Sequence, residues 1–505
     1  MNAILNGAIW LIGPFILALA LSFMLAILMK KMFYDYGSLY IFKYEMNANQ
    51  YFGSLLTLNL LASAIAFVFI WLGFMTSHDK LLWFNIITSY ITNTNLQHYI
   101  NQQVPFIIQT FSLTFLQFVA PATGLATVVA TIRGIFFKKL GNFYSDFLIS
   151  LLILSLASFV SSLIELFLGV PLGYPFSRLT GFLPSPLAYY NSITLLGNNG
   201  GTYFAQGVAA ASSMPNAAAA YFYIVLLYLF PFSVVSLFGF VSKDLQNSTA
   251  MFIVVGLFYF ALMFLLLVST PSALKQNIAP QMSTISALSL FYASIATNTG
   301  ASVFPISALS PIQISTFLIL MLSDSLPGTV GTGFISLLFI IIITIFFSSL
   351  MSGRMPKYLG FRLDTKDINT SVIGYIFHFA LVLSAIPISL MYVKGFSFSV
   401  GYGFTQLLWE VVSAAVNNGS DYYGFLGNTI SLNLITSALM VLGRYVPLYL
   451  ALKLSESFSK KEPSYSMTDI RTNTPAFSLV LAFFIVVLVF ISVLPLLALG
   501  PLSIR

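Results

Sequence analysis

Ten stretches of this chain stay apolar over lengths that only a bilayer accommodates. A membrane core takes about 20 mostly apolar residues in a helix. Residues 4–29, 54–76, 106–131, 146–170, 217–241, 250–270, 308–350, 370–393, 429–453 and 476–498 meet that length, the seventh being long and interrupted. Only 7% of the 505 residues are charged, against roughly 25% in a soluble domain, too few to cover a water-facing surface. The first stretch exceeds a signal-peptide core of about 7–15 residues, and Lys30 and Lys31 follow it. It therefore reads as a true first span with its N-terminus outside.

Lysine and arginine test that orientation. With the N-terminus outside, 15 of the 21 basic residues fall on the inside, five fall outside, and Arg444 lies within a span. This bias favours ten spans with both termini outside and accounts for the net charge of +7 without a nucleic-acid partner. Cysteine is absent, which removes disulfides and thiolate metal sites. Gly-Lys never occurs, so there is no phosphate-binding P-loop. The three histidines form no HExxH, and no Asp-Lys-Thr-Gly-Thr phosphorylation motif is present. The chain is expected to carry no catalytic chemistry, no cofactor and no transition metal.

Four short segments repeat: Asn93-Thr94-Asn95, Asn198-Asn199-Gly200, Asn298-Thr299-Gly300 and Asn417-Asn418-Gly419. Each follows a short apolar run (83–91, 187–196, 285–296 and 407–416) too brief to span a membrane. The unit is helix, half-helix, polar loop, helix. The expected fold is an all-α polytopic membrane protein with four pseudo-symmetric repeats around a pore and one extra helix at each end. The boundaries are 1–31 for the first helix, 32–140, 141–245, 246–365 and 366–470 for the repeats, and 471–505 for the last helix. Non-helical backbone is tolerated in a membrane where it lines a cavity. A half-helix entering from outside points its partly negative C-terminus at the membrane centre. Four such loops can replace a cation's water shell with neutral oxygens, and glycine permits the left-handed backbone this needs. Asn95 stands where the other loops have glycine, so the first loop is expected to be less freely shaped. The function this implies is a cation-selective pore, most simply for potassium.

Particular motifs narrow the reading. Thr92-Asn93-Thr94-Asn95-Leu96-Gln97 resembles the Thr-Asn-Thr-Asn-Trp-Gln of the KdpA family, the potassium-binding subunits of the Kdp P-type ATPase. Asn417-Asn418-Gly419-Ser420 matches its Asn-Asn-Gly-Ser. Gly353-Arg354-Met355-Pro356-Lys357-Tyr358-Leu359-Gly360 resembles its Gly-Arg-Thr-Pro-Glu-Tyr-Leu-Gly. Pro495-Leu496-Leu497-Ala498-Leu499-Gly500-Pro501 resembles its Pro-Ala-Leu-Ala-Leu-Gly-Pro. The second loop departs, with Gly197-Asn198-Asn199-Gly200 where the family has Gly-Thr-Asn-Gly. The resemblance implies a potassium filter in the cell membrane, with Gln97 and the loop residues as its ligands. It implies delivery of potassium sideways to a KdpB-type subunit, which holds the ATP and Mg2+, and further KdpC-type and small KdpF-type partners. The alternative is a gradient-driven channel or symporter of the Trk/Ktr type, which shares the four-repeat pore. A carrier for larger solutes would show inverted repeats, whereas these run in the same sense.

Charged residues near the membrane centre stand out. Asp324 precedes Pro327-Gly328-Thr329-Val330-Gly331-Thr332-Gly333, a run that should break the seventh helix. The resemblance implies that Asp324, Arg354 and Arg444 tie down a gating loop below the filter; a purely structural ion pair is the competing account. Glu410 in the fourth half-helix reads as scaffold. Glu165 has no evident partner. His98 reads as a surface or packing residue, and His378 as core.

Overall fold

The computed structural model describes residues 2–35, 37–74, 80–99, 108–171, 187–201, 213–323, 328–395, 397, 401–464 and 469–504. Helix α1 (Asn2–Lys30) comes first. Three elements then recur: α2 (Ala48–Phe74), half-helix α3 (Lys80–Ile91) and α4 (Thr114–Phe137), followed by α5 (Phe143–Phe167), α6 (Leu187–Leu196) and α7 (Ala217–Ser242). The third unit is α8 (Leu245–Val268), a short α9 (Ser272–Gln276), half-helix α10 (Thr284–Ala296), then α11 (Pro311–Ser323) and α12 (Gly333–Met351). The fourth is α13 (Thr365–Tyr392), half-helix α14 (Tyr402–Ala415) and α15 (Ile430–Ser459), and α16 (Pro475–Leu499) closes the chain. Ten of the described helices are long and apolar enough to cross a membrane. The protein is a multi-pass membrane protein of the expected class.

Local sequence explains the helix ends. Asn142 accepts from the Tyr144 and Ser145 amides to start α5. Asp244 caps α8, Thr429 caps α15 and Thr474 caps α16. Ser283 and Ser286 form a reciprocal capping box at α10. Each satisfies amides that a helix start leaves unpaired. The seventh span is broken as its Pro/Gly run demands: Thr329, Val330 and Gly331 all take positive φ (51°, 56° and 93°) between α11 and α12.

Burial sorts the helices into an inner and an outer set. The spans built on α4 and α7 are 89% buried, whereas those of α1, α2 and α16 are 22–28% buried. The outer helices turn residues such as Met24, Leu60, Trp71 and Ile491 outward, the apolar belt a lipid solvent accepts. Inside, α4 packs small and polar residues close together, including Thr123, Gly124, Thr127 and Thr131. Only one pair of strands is described, β1 (Lys357–Tyr358) and β2 (Phe361–Arg362), turning on left-handed Leu359 and Gly360. At the C-terminal end of α4, Arg133 grips Asp146 through two bonds of 2.8 and 2.7 Å and donates to Leu140 O. Tyr40 and Tyr51 also donate to Asp146, so the polar end of α4 is neutralised from within.

Candidate ion-binding site

The four half-helices end in the same way. The second residue past each takes a left-handed conformation: Asn93 at φ 60°, Asn198 at 49°, Asn298 at 50° and Asn417 at 55°. Its amide donates three residues back, to Tyr90, Leu195, Ile295 and Ala414 O. The next amide donates five residues back, from Thr94 to Ser89, Asn199 to Thr194, Thr299 to Ser294 and Asn418 to Ser413 O. That pair of bonds is a Schellman cap, and asparagine tolerates its left-handed position nearly as glycine does. Two residues on, the chain turns left-handed again at Asn95 (59°), Gly200 (61°), Gly300 (68°) and Gly419 (89°). Asn95 thus adopts the same backbone as the three glycines.

The loops meet edge to edge in a closed ring. Asn93 Nδ2 donates to Gly197 O at 2.9 Å and Asn198 O at 3.1 Å. Asn198 Nδ2 donates to Thr299 Oγ1 at 3.2 Å. Asn418 Nδ2 donates to Asn298 Oδ1 at 3.0 Å and Ile295 O at 3.1 Å. Asn417 Nδ2 donates to Thr94 Oγ1 at 2.8 Å, closing the fourth loop on the first. A methyl group at Gly200, Gly300 or Gly419 would overlap the carbonyl oxygen of Thr299, Asn418 or Thr94 respectively. These second-position carbonyls therefore lie between neighbouring loops, and glycine is required by close approach as well as by φ.

The oxygens of the ring are neutral. In the first and third loops Thr92 pairs with Thr94, and Thr297 with Thr299, through hydroxyls 2.8 and 2.7 Å apart. The second and fourth loops put Asn199 and Asn418 at the position of Thr94 and Thr299, so the ring alternates two patterns. Asn93 Oδ1, Asn95 Oδ1 and Asn199 Oδ1 are buried without a hydrogen-bond donor. Asn95 Nδ2 is likewise buried without a partner. Gln97 is half-buried just beyond the first loop.

A further repeated feature escaped the sequence reading. Four residues before each loop asparagine stands a hydroxyl: Ser89, Thr194, Ser294 and Ser413. The first three donate to the carbonyls of Leu96, Gly201 and Ala301, and Ser413 accepts from Gly419 N at 3.0 Å. Each brackets its loop back onto its half-helix. A hydroxyl at one fixed offset in four apolar runs was the available signal.

Beneath the ring lies the broken seventh span. Thr329 N donates to Thr297 O at 2.8 Å, and Val330 N to Asn198 Oδ1 at 2.9 Å. Arg444, buried in α15, donates to Thr332 Oγ1 and Ala120 O, both at 3.2 Å. Gly124 makes room for its guanidinium. Among the described residues no carboxylate pairs with Arg444. Arg354 is exposed past the far end of α12, about 28 Å along that helix from Thr332 at 1.5 Å per residue. Asp324 lies outside the described residues. A cavity of about 30 Å3, bounded by Asn298, Thr332, His378, Asn417 and Arg444, adjoins this loop. It has room for an ion or a water or two.

The other singled-out residues are all buried and bonded. His378 Nε2 faces Gly443 O at 3.1 Å and lines that cavity. Glu165 accepts from Ser192 Oγ at 2.7 Å and Tyr223 OH at 3.3 Å. His98 is 1% exposed and lies between Glu410 Oε1 (2.8 Å) and Asn433 Oδ1 (2.7 Å). It packs in the interior, with partners more than 300 residues away in the chain that sequence could not identify.

The family profile described as KdpA, potassium-transporting ATPase A subunit, matches residues 16–504. A relative named potassium-transporting ATPase potassium-binding subunit, from Thermoplasma volcanium, is 32% identical over 91% of this chain and 84% of its own length. One of the same name from Caldanaerobacter subterraneus subsp. tengcongensis is 29% identical over 84% of this chain and 81% of its own. The crystal structure of the potassium transporter TrkH from Vibrio parahaemolyticus superposes with a TM-score of 0.56 at 16% identity. It covers 90% of this chain and 99% of that one, a likeness of fold.

Proposed function

This chain belongs to the KdpA family of potassium-transporting ATPase A subunits, and on that premise we propose that its four-loop ring selects potassium from outside the cell for an ATP-driven uptake complex. The observation that carries the reading is the closed ring. Four loops with left-handed first and third residues are stitched to one another by asparagine amides. An ion at the ring trades its water shell for neutral oxygens, held at fixed spacing by the hydrogen bonds between loops. Neutral ligands suit a monovalent ion that must also leave.

Below the ring, the fixed charge of Arg444 repels a descending cation at close range in a low-dielectric setting. In our reading the ion is therefore turned aside between the ring and Arg444 and passes sideways to an ATP-hydrolysing KdpB-type subunit, with KdpC- and KdpF-type chains completing the complex. The chain lies in the cell membrane with both termini outside, and Asp324 joins the loop that Arg444 holds.

The test is to purify the chain from native membranes in mild detergent, identify what accompanies it, and measure ATP hydrolysis in potassium and in sodium. Co-purification of a P-type ATPase subunit, with hydrolysis stimulated by potassium and not by sodium, is expected. A chain that emerges alone and carries potassium down its gradient in liposomes without ATP would instead be a channel or symporter, the reading that the TrkH-like fold also accommodates.

A further inference from the structure

The ring has four seams, and the one between the first and fourth loops differs from the rest. It is the seam where Gly419 meets Thr94 and where Asn417 bonds Thr94. Just beyond it His98, three residues past Asn95, bridges to α14 through Glu410 and to α15 through Asn433. Among the described residues no other seam carries an ionic bridge. Both ring nitrogens of His98 face oxygen acceptors, and a neutral imidazole has only one hydrogen to donate. The geometry is that of an imidazolium donating twice. Gly427 closes over the ring, where a Cβ would come 2.6 Å from His98 Cδ2. Glu410 is held in turn by the Tyr422 amide at 3.3 Å.

We propose that His98 is a positioning residue for potassium selection, an ionic latch that fixes the outer end of the first filter loop against the fourth repeat. The latch acts on ligand spacing through the chain, since His98 follows Thr94 and Asn95 without an intervening hinge glycine. Releasing it frees the loop end and lets the Thr94–Gly419 seam widen. Selection by a ring of oxygens depends on that spacing. The inference rests on the filter reading above.

The experiment uses the assembled complex in liposomes. Half-saturating potassium is read both from ATP hydrolysis and from rubidium tracer flux, with sodium as competitor. His98→Gln and Glu410→Gln should each be roughly tenfold weaker and less selective than wild type, with maximal rate little changed, and be no worse when combined. The latch is overturned if His98→Gln keeps wild-type half-saturation and sodium rejection. It is equally overturned if that variant lowers only yield and maximal rate, or, where the variant fails to assemble, if Glu410→Gln keeps wild-type half-saturation and sodium rejection. Tracer flux keeps the test independent of coupling to ATP, so a complex without potassium-stimulated hydrolysis counts against the proposed function and leaves the latch to be judged on flux.

Discussion

Replacing Gly419 by alanine should damage potassium selection more than any other single methyl group added to this chain. Gly419 sits at φ 89°, where an L-residue costs about 1–2 kcal/mol. Its new Cβ would fall on the Thr94 carbonyl oxygen and 2.6 Å from Thr94 C. Contacts of a real Cβ stay above 3.0 Å, so the first loop must retreat by at least 0.4 Å to clear the carbon, and further to clear the oxygen. Functional constellations tolerate roughly 0.5 Å. Backbone strain alone is worth about tenfold in an equilibrium, and the displaced oxygen falls on top of that. Half-saturating potassium in the purified complex should rise by roughly 100-fold, with sodium beginning to stimulate hydrolysis. Gly256→Ala is the control: it lies in α8 with nothing within 4 Å and should leave transport unchanged. Wild-type half-saturation and sodium rejection in Gly419→Ala would refute the ring as the selective element.

Other parts of the structure make their own predictions. Arg444→Gln removes the buried charge below the ring and should let rubidium leak through ATP-free liposomes; a tight variant would show that the guanidinium only packs α15 against Ala120 and Thr332. Ser294→Ala deletes the bond to Ala301 O at 2.9 Å, so it should cost about 1 kcal/mol and weaken potassium several-fold, read by thermal unfolding and by half-saturation. Asp146→Asn leaves Arg133 buried and unpaired, a loss of about 3–5 kcal/mol; unfolding in detergent should occur at markedly lower temperature, with no change in ion preference of the folded fraction.

What the sequence revealed was set by the bilayer. Span lengths follow from membrane thickness, so all ten were legible, and the half-helix read at 187–196 is the observed α6. The Pro/Gly run after residue 326 announced its own break. The loop glycines signalled left-handed backbone, yet the asparagines at 93, 198, 298 and 417 carry the same conformation and read only as polar ligands. In the structure their amides are mostly the stitches between loops. Pairings across repeats were out of reach: nothing local tells that His98 meets Glu410, or that Arg133 folds back on Asp146. Such contacts come from how the repeats close, which a pattern of hydropathy does not encode.

The bonding at the fourth loop also bears on chemical ageing. Asn-Gly pairs are sites where a backbone amide attacks the asparagine side chain and converts it to a carboxylate, and asparagine is among the residues that heat damages. At Asn418-Gly419 that backbone nitrogen is already donating to Ser413 Oγ, while Asn418 Oδ1 accepts from the Ser420 amide and hydroxyl. The attacking nitrogen is engaged, and the side-chain amide whose carbon it would have to reach is pinned to Ile295 and Asn298. A single deamidation there would place a fixed negative charge in a ring of neutral oxygens, and on the proposed function it would hold the passing ion too tightly. The bonds that shape the aperture are therefore also what keeps it from wearing out.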